Sequence, residues 1–405
     1  MSELPPAAKQ AFKLSTDAVR RAVALVRPED DLDDEQTREL FARIAASVLT
    51  EPGDSVWGSY VAHFGAAVVL DALVSATSPS EFASALGFPA DATLSAAWQR
   101  WVPRLRSELV IGAAEHAAQV SARVCIPGDE DWPGGLDDLG PFAPHCLYQR
   151  GASDTEWRRA IAMVGARAST GYGEHVASEI AGELAASGIL IVSGAAYGID
   201  GIAHRAALAE EAPTVAVLAG GIDRFYPSGH SELLQRICAD GRVLSESPCG
   251  TAPSKWRFLQ RNRLIAAASR ATVVVEAGVR SGSLNTAGHA AAIGRPLGAV
   301  PGPVTSPASA GCHRLLREYD AVCVTSARDV QELAFGALPS ADTERTDPAA
   351  QRVRDALGRS AQTIEQIAAA AGFSVAETSG RLVEGELAGW ARSTPTGWIR
   401  DTQKP

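Results

Sequence analysis

Long hydrophobic stretches and targeting signals are missing from this 405-residue sequence. No run of about 18 or more apolar residues passes without a charge, so no transmembrane helix is predicted. The first residues, Met1-Ser-Glu-Leu-Pro-Pro, lack the basic and then apolar pattern of a secretory signal peptide. We therefore expect a cytoplasmic protein that makes no contact with a membrane.

Cysteine patterns that signal disulfides or metal sites are also missing. The six cysteines are scattered, with no CxxC pair and no histidine at ligand spacing. This favours reduced thiols and argues against a structural zinc site, so no metal is predicted. The residues are Cys125, Cys146, Cys238, Cys249, Cys312 and Cys323.

Excess positive charge is absent as well. The chain has 37 Lys and Arg against 47 Asp and Glu, which gives a net charge of −10. An acidic chain gives no global reason to expect a polyanionic partner, so any nucleic-acid site must be a local basic patch. Apolar residues make up 46% of the chain, enough for a full core, and the length suggests two or three domains.

Hydrophobic spacing changes along the chain and divides it into three segments and a linker. Residues 1–120 are Ala-rich with apolar residues at helical spacing, which predicts a helical domain. Residues 121–335 alternate short apolar runs with helical segments. The polar, Pro-bounded stretch 336–348 predicts a linker. Three short helical patterns and two β-compatible pieces then predict a winged-helix domain over 349–405.

The alternation in the middle segment is typical of a parallel, doubly wound α/β sheet. Its helical segments are long enough for right-handed crossovers between parallel strands. Residues 125–148, rich in Gly, Pro and Asp, are interpreted as a loop with little regular structure. The predicted strands are 160–164, 189–192, 215–218, 242–244, 272–275, 297–300 and 321–324.

Four glycine-rich loops follow predicted strands, where open α/β sheets bind ligands. Glycines let backbone N–H groups approach an anion, and a following helix N-terminus adds positive partial charge, so phosphate is the natural guest. No loop is a full GxGxxG or Walker A motif, so no cofactor is predicted, and each loop could equally be only a tight turn. The loops are 165–173, 193–200, 276–286 and 301–303.

The strongest signal is a basic and aromatic cluster between the fourth and fifth predicted strands. Residues 253–263 place four basic side chains among two aromatic ones, and residues 247–275 hold five basic residues and no acid. Basic groups neutralise phosphates and an aromatic ring stacks on an unstacked base, so the cluster predicts a site for single-stranded nucleic acid. Lys255, the only lysine between positions 13 and 404, belongs to it. The alternative is a helix whose arginines, such as Arg263 and Arg270, pair with acidic neighbours.

Catalytic interpretations have weaker support. Asp200 and His204, four apart on a predicted helix, could face one metal or act as a general-base site, but no third ligand follows at a useful spacing. A helix-end carboxylate and a half-buried histidine fit them better. The serine turns lack a GxSxG context and a triad order. Glu276, at a strand end, is the one candidate general base and keeps an enzyme interpretation open.

Taken together, the loops resemble the DprA/Smf family of DNA-processing proteins over residues 145–325. The family's motifs occur in order: a GxRxxSxYG loop, an SGxAxGID segment ending in AH, a YP turn, an FxxRNR helix start, an SGSLxTA loop and a VPG. They stand here at 165–173, 193–204, 226–227, 258–263, 281–287 and 300–302. The N-terminal helices resemble the family's SAM-like module, and the last segment resembles its winged helix.

The resemblance implies an extended Rossmann-like core that binds single-stranded DNA, forms a homodimer and loads the recombinase RecA in natural transformation and recombination. Such a protein has no catalytic residues of its own. By motif match, the DNA-binding residues are Arg167, Ser169, Gly194, Gly198, Lys255, Phe258, Arg261, Asn262, Arg263, Ser281, Gly282 and Ser283. The alternative is a related Rossmann-like enzyme that hydrolyses nucleotide N-glycosidic bonds with Glu276. Those enzymes carry a PGGxGT-type loop where this chain has Gly278-Val-Arg-Ser-Gly-Ser283.

Overall fold

The computed structural model describes residues 12, 14–151, 156–336, 348–358 and 360–401. The chain divides into two compact units, one within residues 1–337 and one within 338–405. Most of the linker predicted at 336–348 lies outside the described residues. The domain boundaries at 120 and 335 stay predictions.

In the described residues, seven α-helices form the N-terminal part of the first unit. They are α1 Thr16–Val26, α2 Asp34–Leu49, α3 Ser55–Phe64, α4 Ala66–Ser75, α5 Pro79–Ala85, α6 Ala92–Trp101 and α7 Ser107–Gln119. Side chains that accept a backbone N–H of the first turn fix several starts: Ser15 for α1, Asp33 for α2 and Asp54 for α3. No single described helix is long and apolar enough to cross a membrane. Only α3 and α4 together reach that length, across a bend of 113°.

Nine strands of the first unit form one sheet. They are β1 Arg123–Cys125, β2 Leu147–Gly151, β3 Ala160–Val164, β4 Leu190–Ser193, β5 Thr214–Val217, β6 Arg242–Ser245, β7 Ala271–Val274, β8 Leu297–Ala299 and β9 Val322–Cys323. Their order is β1-β2-β6-β5-β4-β3-β7-β8-β9, and all neighbours from β6 to β9 are parallel. The predicted parallel, doubly wound sheet is confirmed. Because β3 to β6 extend to one side and β7 to β9 to the other, the strand order reverses between β3 and β7.

Seven further α-helices connect or follow the strands in the described first unit. They are α8 Gly171–Ala186, α9 Ile199–Ala209, α10 Ser231–Asp240, α11 Lys255–Ala267, α12 Ser283–Ala292, α13 Ala310–Glu318 and α14 Ala327–Phe335. Alternate side chains of β3 enter two different cores, as the pleat requires. Ile161 and Met163 pack in the core that contains α8, α9 and α14 residues, whereas Ala162 and Val164 pack in the core with α11, α12 and α13.

The interpretation of residues 125–148 as a loop with little regular structure describes residues 126–146, which have a 3-10 segment but no α-helix or strand, and misses the strands at the two ends. This stretch ends in β2, which pairs antiparallel with both β1 and β6, and it contains a 3-10 segment over Gly134–Phe142. The Gly, Pro and Asp residues around the short strands hid them from a reading of composition. The fully buried Tyr148 of β2 lies 3.0 Å from the hydroxyl of Ser47 on α2, so this edge of the sheet joins the helical region to the core.

In its described residues, the second unit has three helices and a hairpin, and the winged-helix prediction is confirmed. Its elements are α15 Pro348–Ala356, α16 Ile364–Ala371, α17 Val375–Leu387, β10 Ala391–Thr394 and β11 Gly397–Arg400. Strands β10 and β11 are antiparallel. Val353, Ile367 and Leu382 each come from a different helix and are completely buried in one small core.

Candidate functional site

A cavity of about 1230 Å³ opens at the carboxyl end of the parallel strands. Its walls are the loop after β3, the loop after β7 and one side of α11. This is the point where the strand order reverses, and open α/β sheets bind ligands at such a point. Three of the four predicted loops, 165–173, 193–200 and 276–286, therefore meet at this cavity, whereas 301–303 has no residue in its lining.

The structure brings eight of the twelve predicted DNA-binding residues to the lining of this cavity. They are Arg167, Lys255, Phe258, Arg261, Asn262, Ser281, Gly282 and Ser283. Ser169, Gly194, Gly198 and Arg263 are outside the lining. The role of all twelve in DNA binding stays a prediction.

Phe258 is the centre of a cluster of cations and aromatic rings. The guanidinium carbon of Arg167 lies 5.0 Å from the centroid of the Phe258 ring, and that of Arg261 lies 5.9 Å away. The ring of Tyr226 is 5.7 Å from it and tilted by 53°. Planar cations and rings in this arrangement offer flat surfaces on which an unstacked base can lie.

Arg261 is the buried cation of the cavity, with 5% of its surface exposed. Its Nη1 donates to the carbonyl oxygen of Val217 at 2.5 Å, and its buried Nε has no hydrogen-bond partner among the described residues. Burial lowers the pKa of Arg261 to about 10, with Asp200 acting in the opposite direction. Gly194 is needed beside it, because a Cβ there would lie 1.9 Å from Nη1. Gly194 thus serves the cavity by making room for Arg261.

The buried carboxylate of Asp200 already occupies backbone N–H groups of the loop after β4. Its Oδ2 accepts from Gly194 N at 3.2 Å and from Ala196 N at 3.4 Å. Burial raises the pKa of Asp200, and the nearby Arg261 opposes this shift. The N–H of Gly194 is therefore occupied by a carboxylate of the chain itself, and a role of Gly194 in DNA binding stays a prediction.

His204 does not join Asp200 in a catalytic or metal site. The histidine is fully buried, and its Nδ1 lies 2.8 Å from the hydroxyl of Thr214. Burial lowers its pKa to about 3. In the parts of the chain that the structure describes, no three His, Cys, Asp or Glu side chains cluster as metal ligands would. His204 was predicted to be half-buried, and it lies deeper than that.

Arg263 lies outside the cavity lining, and its part in DNA binding stays a prediction. Its Nη2 donates to Glu246 at 2.7 Å, its Nε donates to the carbonyl oxygen of Phe142 at 2.9 Å, and only 2% of the residue is exposed. The alternative interpretation, an arginine paired with an acidic neighbour, describes it. Ser169 is likewise used inside the protein, because its hydroxyl donates to Glu174 at 3.0 Å.

Gly198 lies at the start of α9 and allows close contact between that helix and the loop after β3, which lines the cavity. Its φ is +75°, and a Cβ there would lie 2.2 Å from the carbonyl oxygen of Ala166. The same oxygen accepts from the N–H of Ile199 at 3.2 Å. Because Arg167 directly follows Ala166, this contact positions the Arg167 side chain.

Asn262 holds the serine loop after β7 in place. Its Nδ2 donates to Asn285 Oδ1 at 3.1 Å and to the carbonyl oxygen of Gly282 at 3.4 Å. The hydroxyls of Ser281 and Ser283 lie 2.6 Å apart. The first backbone N–H groups of α12 are used within the protein. Ser283 donates to Ser281 Oγ at 3.4 Å, Leu284 to the carbonyl oxygen of Ser281 at 3.2 Å and Asn285 to that of Gly282 at 3.1 Å.

Glu276, the residue of the hydrolase alternative, is used to hold the start of α8. Its two carboxylate oxygens accept from the backbone N–H of Thr170 at 2.8 Å and from the Thr170 hydroxyl at 2.7 Å. Only 2% of Glu276 is exposed, and it lies outside the described cavity lining. A general base must come within hydrogen-bond reach of the proton that it removes. The geometry of Glu276 is that of a positioned structural carboxylate.

The sequence prediction missed two side chains that line the cavity. Arg280 is exposed there, and Tyr226 lines it with half of its surface exposed. Both stood in motifs already recognised, next to Ser281 and in the YP turn, and Arg280 is the one basic residue of the loop 276–286. With Arg280 included, the described lining carries four cations, Arg167, Lys255, Arg261 and Arg280, against the single acid Asp200.

Comparison with known proteins places most of the chain in one family. Residues 123–334 match the family described as DNA recombination-mediator protein A, and residues 337–397 match the DprA winged helix domain. The first match contains every predicted site residue.

Individual relatives agree with this assignment. A Mycobacterium tuberculosis relative that carries the DprA name is 48% identical over 297 residues, covering 68% of this chain and 76% of the relative. Protein Smf of Escherichia coli K12 is 36% identical over 269 residues, covering 64% of this chain and 72% of that protein. The X-ray structure of DprA from Streptococcus pneumoniae matches with a TM-score of 0.55 at 30% identity, covering 71% of this chain and 94% of that one. The chain therefore belongs to the DprA/Smf family.

Proposed function

We propose that this protein binds single-stranded DNA in the cavity between the loops after β3 and β7. The observation that carries the proposal is the concentration of four cations and an aromatic cluster against one acid, in a chain with a net charge of −10. Backbone phosphates supply the negative charge that such a cavity favours, and bases supply the flat faces.

The cavity residues divide into two roles. Lys255, Arg167 and Arg280 are exposed cations that meet phosphates. Phe258 and Tyr226 stack on bases. A duplex keeps its bases stacked on one another, so only an unpaired strand can use both roles at once.

The proposal has no catalytic residue. Glu276 is held by Thr170, and we assign it a structural role in place of general-base chemistry. By family membership, we further propose that the protein acts in the cytoplasm as a homodimer and loads RecA onto single strands during DNA uptake and recombination. Relatives named DNA processing protein DprA in Bacillus subtilis and Streptococcus pneumoniae support a role in DNA processing.

A binding comparison tests the DNA proposal. Fluorescence anisotropy should show that a single-stranded oligonucleotide binds at least tenfold more tightly than a duplex of the same length and sequence. A tenfold preference corresponds to about 1.4 kcal/mol. Equal affinity for the two forms would show that charge alone drives binding and would contradict the stacking role.

A separate assay tests the RecA proposal. On single strands already covered by a single-strand-binding protein, the full-length chain should shorten the lag before RecA hydrolyses ATP. Double-stranded DNA serves as the control substrate. An unchanged lag with a protein that still binds single strands would reject RecA loading and leave the DNA site intact.

A further inference from the structure

Helix α11 lines the cavity with one side and contacts other parts of the first unit with the opposite side. Cavity-lining residues of α11 recur at helical spacing, at positions 255, 258, 259 and 262. Positions 257, 260 and 263 lie on other sides of the same helix. Arg257 contacts Glu51, and Gln260 lies against Gly53, both in the helical N-terminal region. Arg263 contacts Glu246, which also accepts the N–H of Gly53.

The first of these contacts is a carboxylate between two arginines. Glu51, in the turn between α2 and α3, accepts from Arg257 through both oxygens, at 3.1 Å from Nε and 3.0 Å from Nη2. Arg104 donates to the same carboxylate at 2.7 Å. Arg257 also donates from Nη1 to the carbonyl oxygen of Ala252 at 2.9 Å. The Arg257 side chain, in the first turn of α11, thus contacts both the connection between α2 and α3 and the loop before α11.

A second contact holds the same turn two helical turns further along α11. Glu246 Oε1 accepts from Arg263 at 2.7 Å and from the backbone N–H of Gly53 at 3.3 Å. Gly53 lies so close that a Cβ there would be 2.7 Å from Gln260 Oε1. The turn over residues 51–53 therefore lies directly against α11.

We propose that Glu51 is a positioning residue for the single-stranded DNA site, through which the helical N-terminal region fixes the first turn of α11. The proposal rests on the function proposed above, because it assumes that Lys255 and Phe258 bind the strand. Residues 254–256 are exposed, so packing does little to hold this turn. Glu51 supplies the missing constraint through Arg257 and so sets where Lys255 and Phe258 stand.

The direction in which Glu51→Gln changes DNA affinity distinguishes a positioning role from a simple effect of charge. Glu51→Gln removes a negative charge near a phosphate site, and charge alone would therefore tighten DNA binding. Positioning predicts the opposite: affinity for single strands falls by about fivefold, within the range of coupling through packed networks. The slope of log affinity against log salt stays unchanged, because no phosphate contact is lost.

Asp30→Asn is a matched control. Asp30 also lies between two arginines of the first unit, 2.7 Å from Arg27 and 3.0 Å from Arg123, but on the side of β1 and not on α11. Both variants lose a carboxylate with two ion pairs, so their loss of thermal stability should be similar. Only Glu51→Gln should change DNA affinity.

Arg257→Gln removes the same ion pair by changing the arginine in place of Glu51. It should weaken single-strand binding as Glu51→Gln does, with an unchanged salt slope, and the double variant should be no weaker than either single one. A salt slope lower by about one in Arg257→Gln would show a direct phosphate contact and would overturn the positioning role. If Glu51→Gln does not fold, as circular dichroism would show, Arg257→Gln decides alone.

The outcomes distinguish this inference from the proposed function. Wild-type protein that does not bind single strands rejects the function and the inference together. Wild-type binding that Lys255→Ala weakens, but that Glu51→Gln leaves equal or tighter, rejects the inference alone. Equal weakening in Asp30→Asn and Glu51→Gln would also reject it, because a general loss of stability would then explain both.

Discussion

Arg167 and Phe258 act as a pair at the scale of single residues. The guanidinium carbon lies 5.0 Å from the ring centroid, within the range of a cation–π contact. The same fork can donate two hydrogen bonds to one phosphate. A lysine has the charge but neither the plane nor the fork, so Arg167 contributes through its shape as well as through its charge.

Arg167→Lys should therefore lose affinity for single strands although the net charge is unchanged. The expected loss is the second hydrogen bond of the guanidinium fork to the phosphate, worth about 1 kcal/mol, or a roughly fivefold higher dissociation constant. Anisotropy titration of the two proteins at one salt concentration measures the change. Unchanged affinity would mean that Arg167 acts as a point charge only, or away from the strand.

The two arginines of the RNR motif show that residue type alone does not predict which arginine lines the cavity and which pairs with an acidic residue. Arg261 and Arg263 are two positions apart and were both predicted to bind DNA. Arg263 meets Glu246, which is 17 positions away and comes from the end of β6, whereas Arg261 turns to Val217 and the cavity. Helix spacing predicts that the two point apart, but the partner of each depends on the packing of the sheet, which the local sequence does not encode.

At the scale of elements, the start of α9 supports the loop that carries Arg167. Gly198→Ala places a Cβ 2.2 Å from the Ala166 oxygen in a backbone with φ of +75°. We expect it to lower the free energy of unfolding by about 1–3 kcal/mol and to weaken single-strand binding, because the loop must move. Chemical denaturation and anisotropy check the two effects.

Gly182→Ala is the control for this substitution. Gly182 lies within α8, where a Cβ would meet nothing closer than 3.8 Å. Alanine should be neutral or stabilising there, by up to about 1 kcal/mol. Equal stability of Gly198→Ala and wild type would contradict the tight contact between the loop and α9.

The last helix of the winged helix lacks the residues of a duplex reader. Helix α17 has three glutamates, Glu377, Glu384 and Glu386, against Arg381, which lies 5.7 Å over the ring of Phe373. A recognition helix normally presents Arg, Lys, Asn or Gln to the groove. Its exposed Leu387 and Val383 suit contact with protein better than with phosphate.

Deleting the residues after Pro339 should accordingly leave single-strand affinity within about threefold, since a lost weak contact is worth well under 1.4 kcal/mol. The comparison needs a truncated protein that is folded and has the oligomeric state of the full chain. A tenfold or larger loss would show that the module contributes directly to DNA binding.

Element type followed from the sequence wherever the apolar runs were long. The prediction of a strand at 160–164 matches β3, and 189–192 differs from β4 by one residue at each end. Strands β1 and β2 were missed because they are short and stand among Gly, Pro and Asp, and because pairing at a sheet edge is not a local property. The meeting of the loops followed from a general rule of parallel sheets, whereas the occupation of Gly194 N by Asp200 required the fold.

At the scale of the whole molecule, two buried histidines make stability depend on pH. Burial lowers the pKa of His145 to about 4 and that of His204 to about 3. Unfolded, both have a pKa of about 6.5, so below that pH the unfolded chain binds more protons than the folded one. The stability that these two neutral histidines contribute is therefore fully present above pH 6.5 and is lost as the pH falls toward 4 and below.

Between pH 6.5 and 5, each histidine should lower the free energy of unfolding by up to about 1.4 kcal/mol per pH unit. Asp200, whose pKa is raised by burial, acts in the opposite sense, so a difference between proteins is the cleaner measurement. Denaturant titrations of wild type and His204→Gln over this range should show a shallower slope in the variant. The same slope in both would mean that His204 is protonated or exposed in the folded protein.

The central claim is that the cavity binds a single strand by neutralising phosphate at Lys255 and stacking a base on Phe258. The most direct measurement is single-strand affinity as a function of salt for wild type, Lys255→Ala and Phe258→Ala. The account predicts that Lys255→Ala lowers the salt slope by about one. Phe258→Ala should cost about 1–3 kcal/mol with the slope nearly unchanged. Two variants that bind single strands like wild type would contradict the assignment of this cavity.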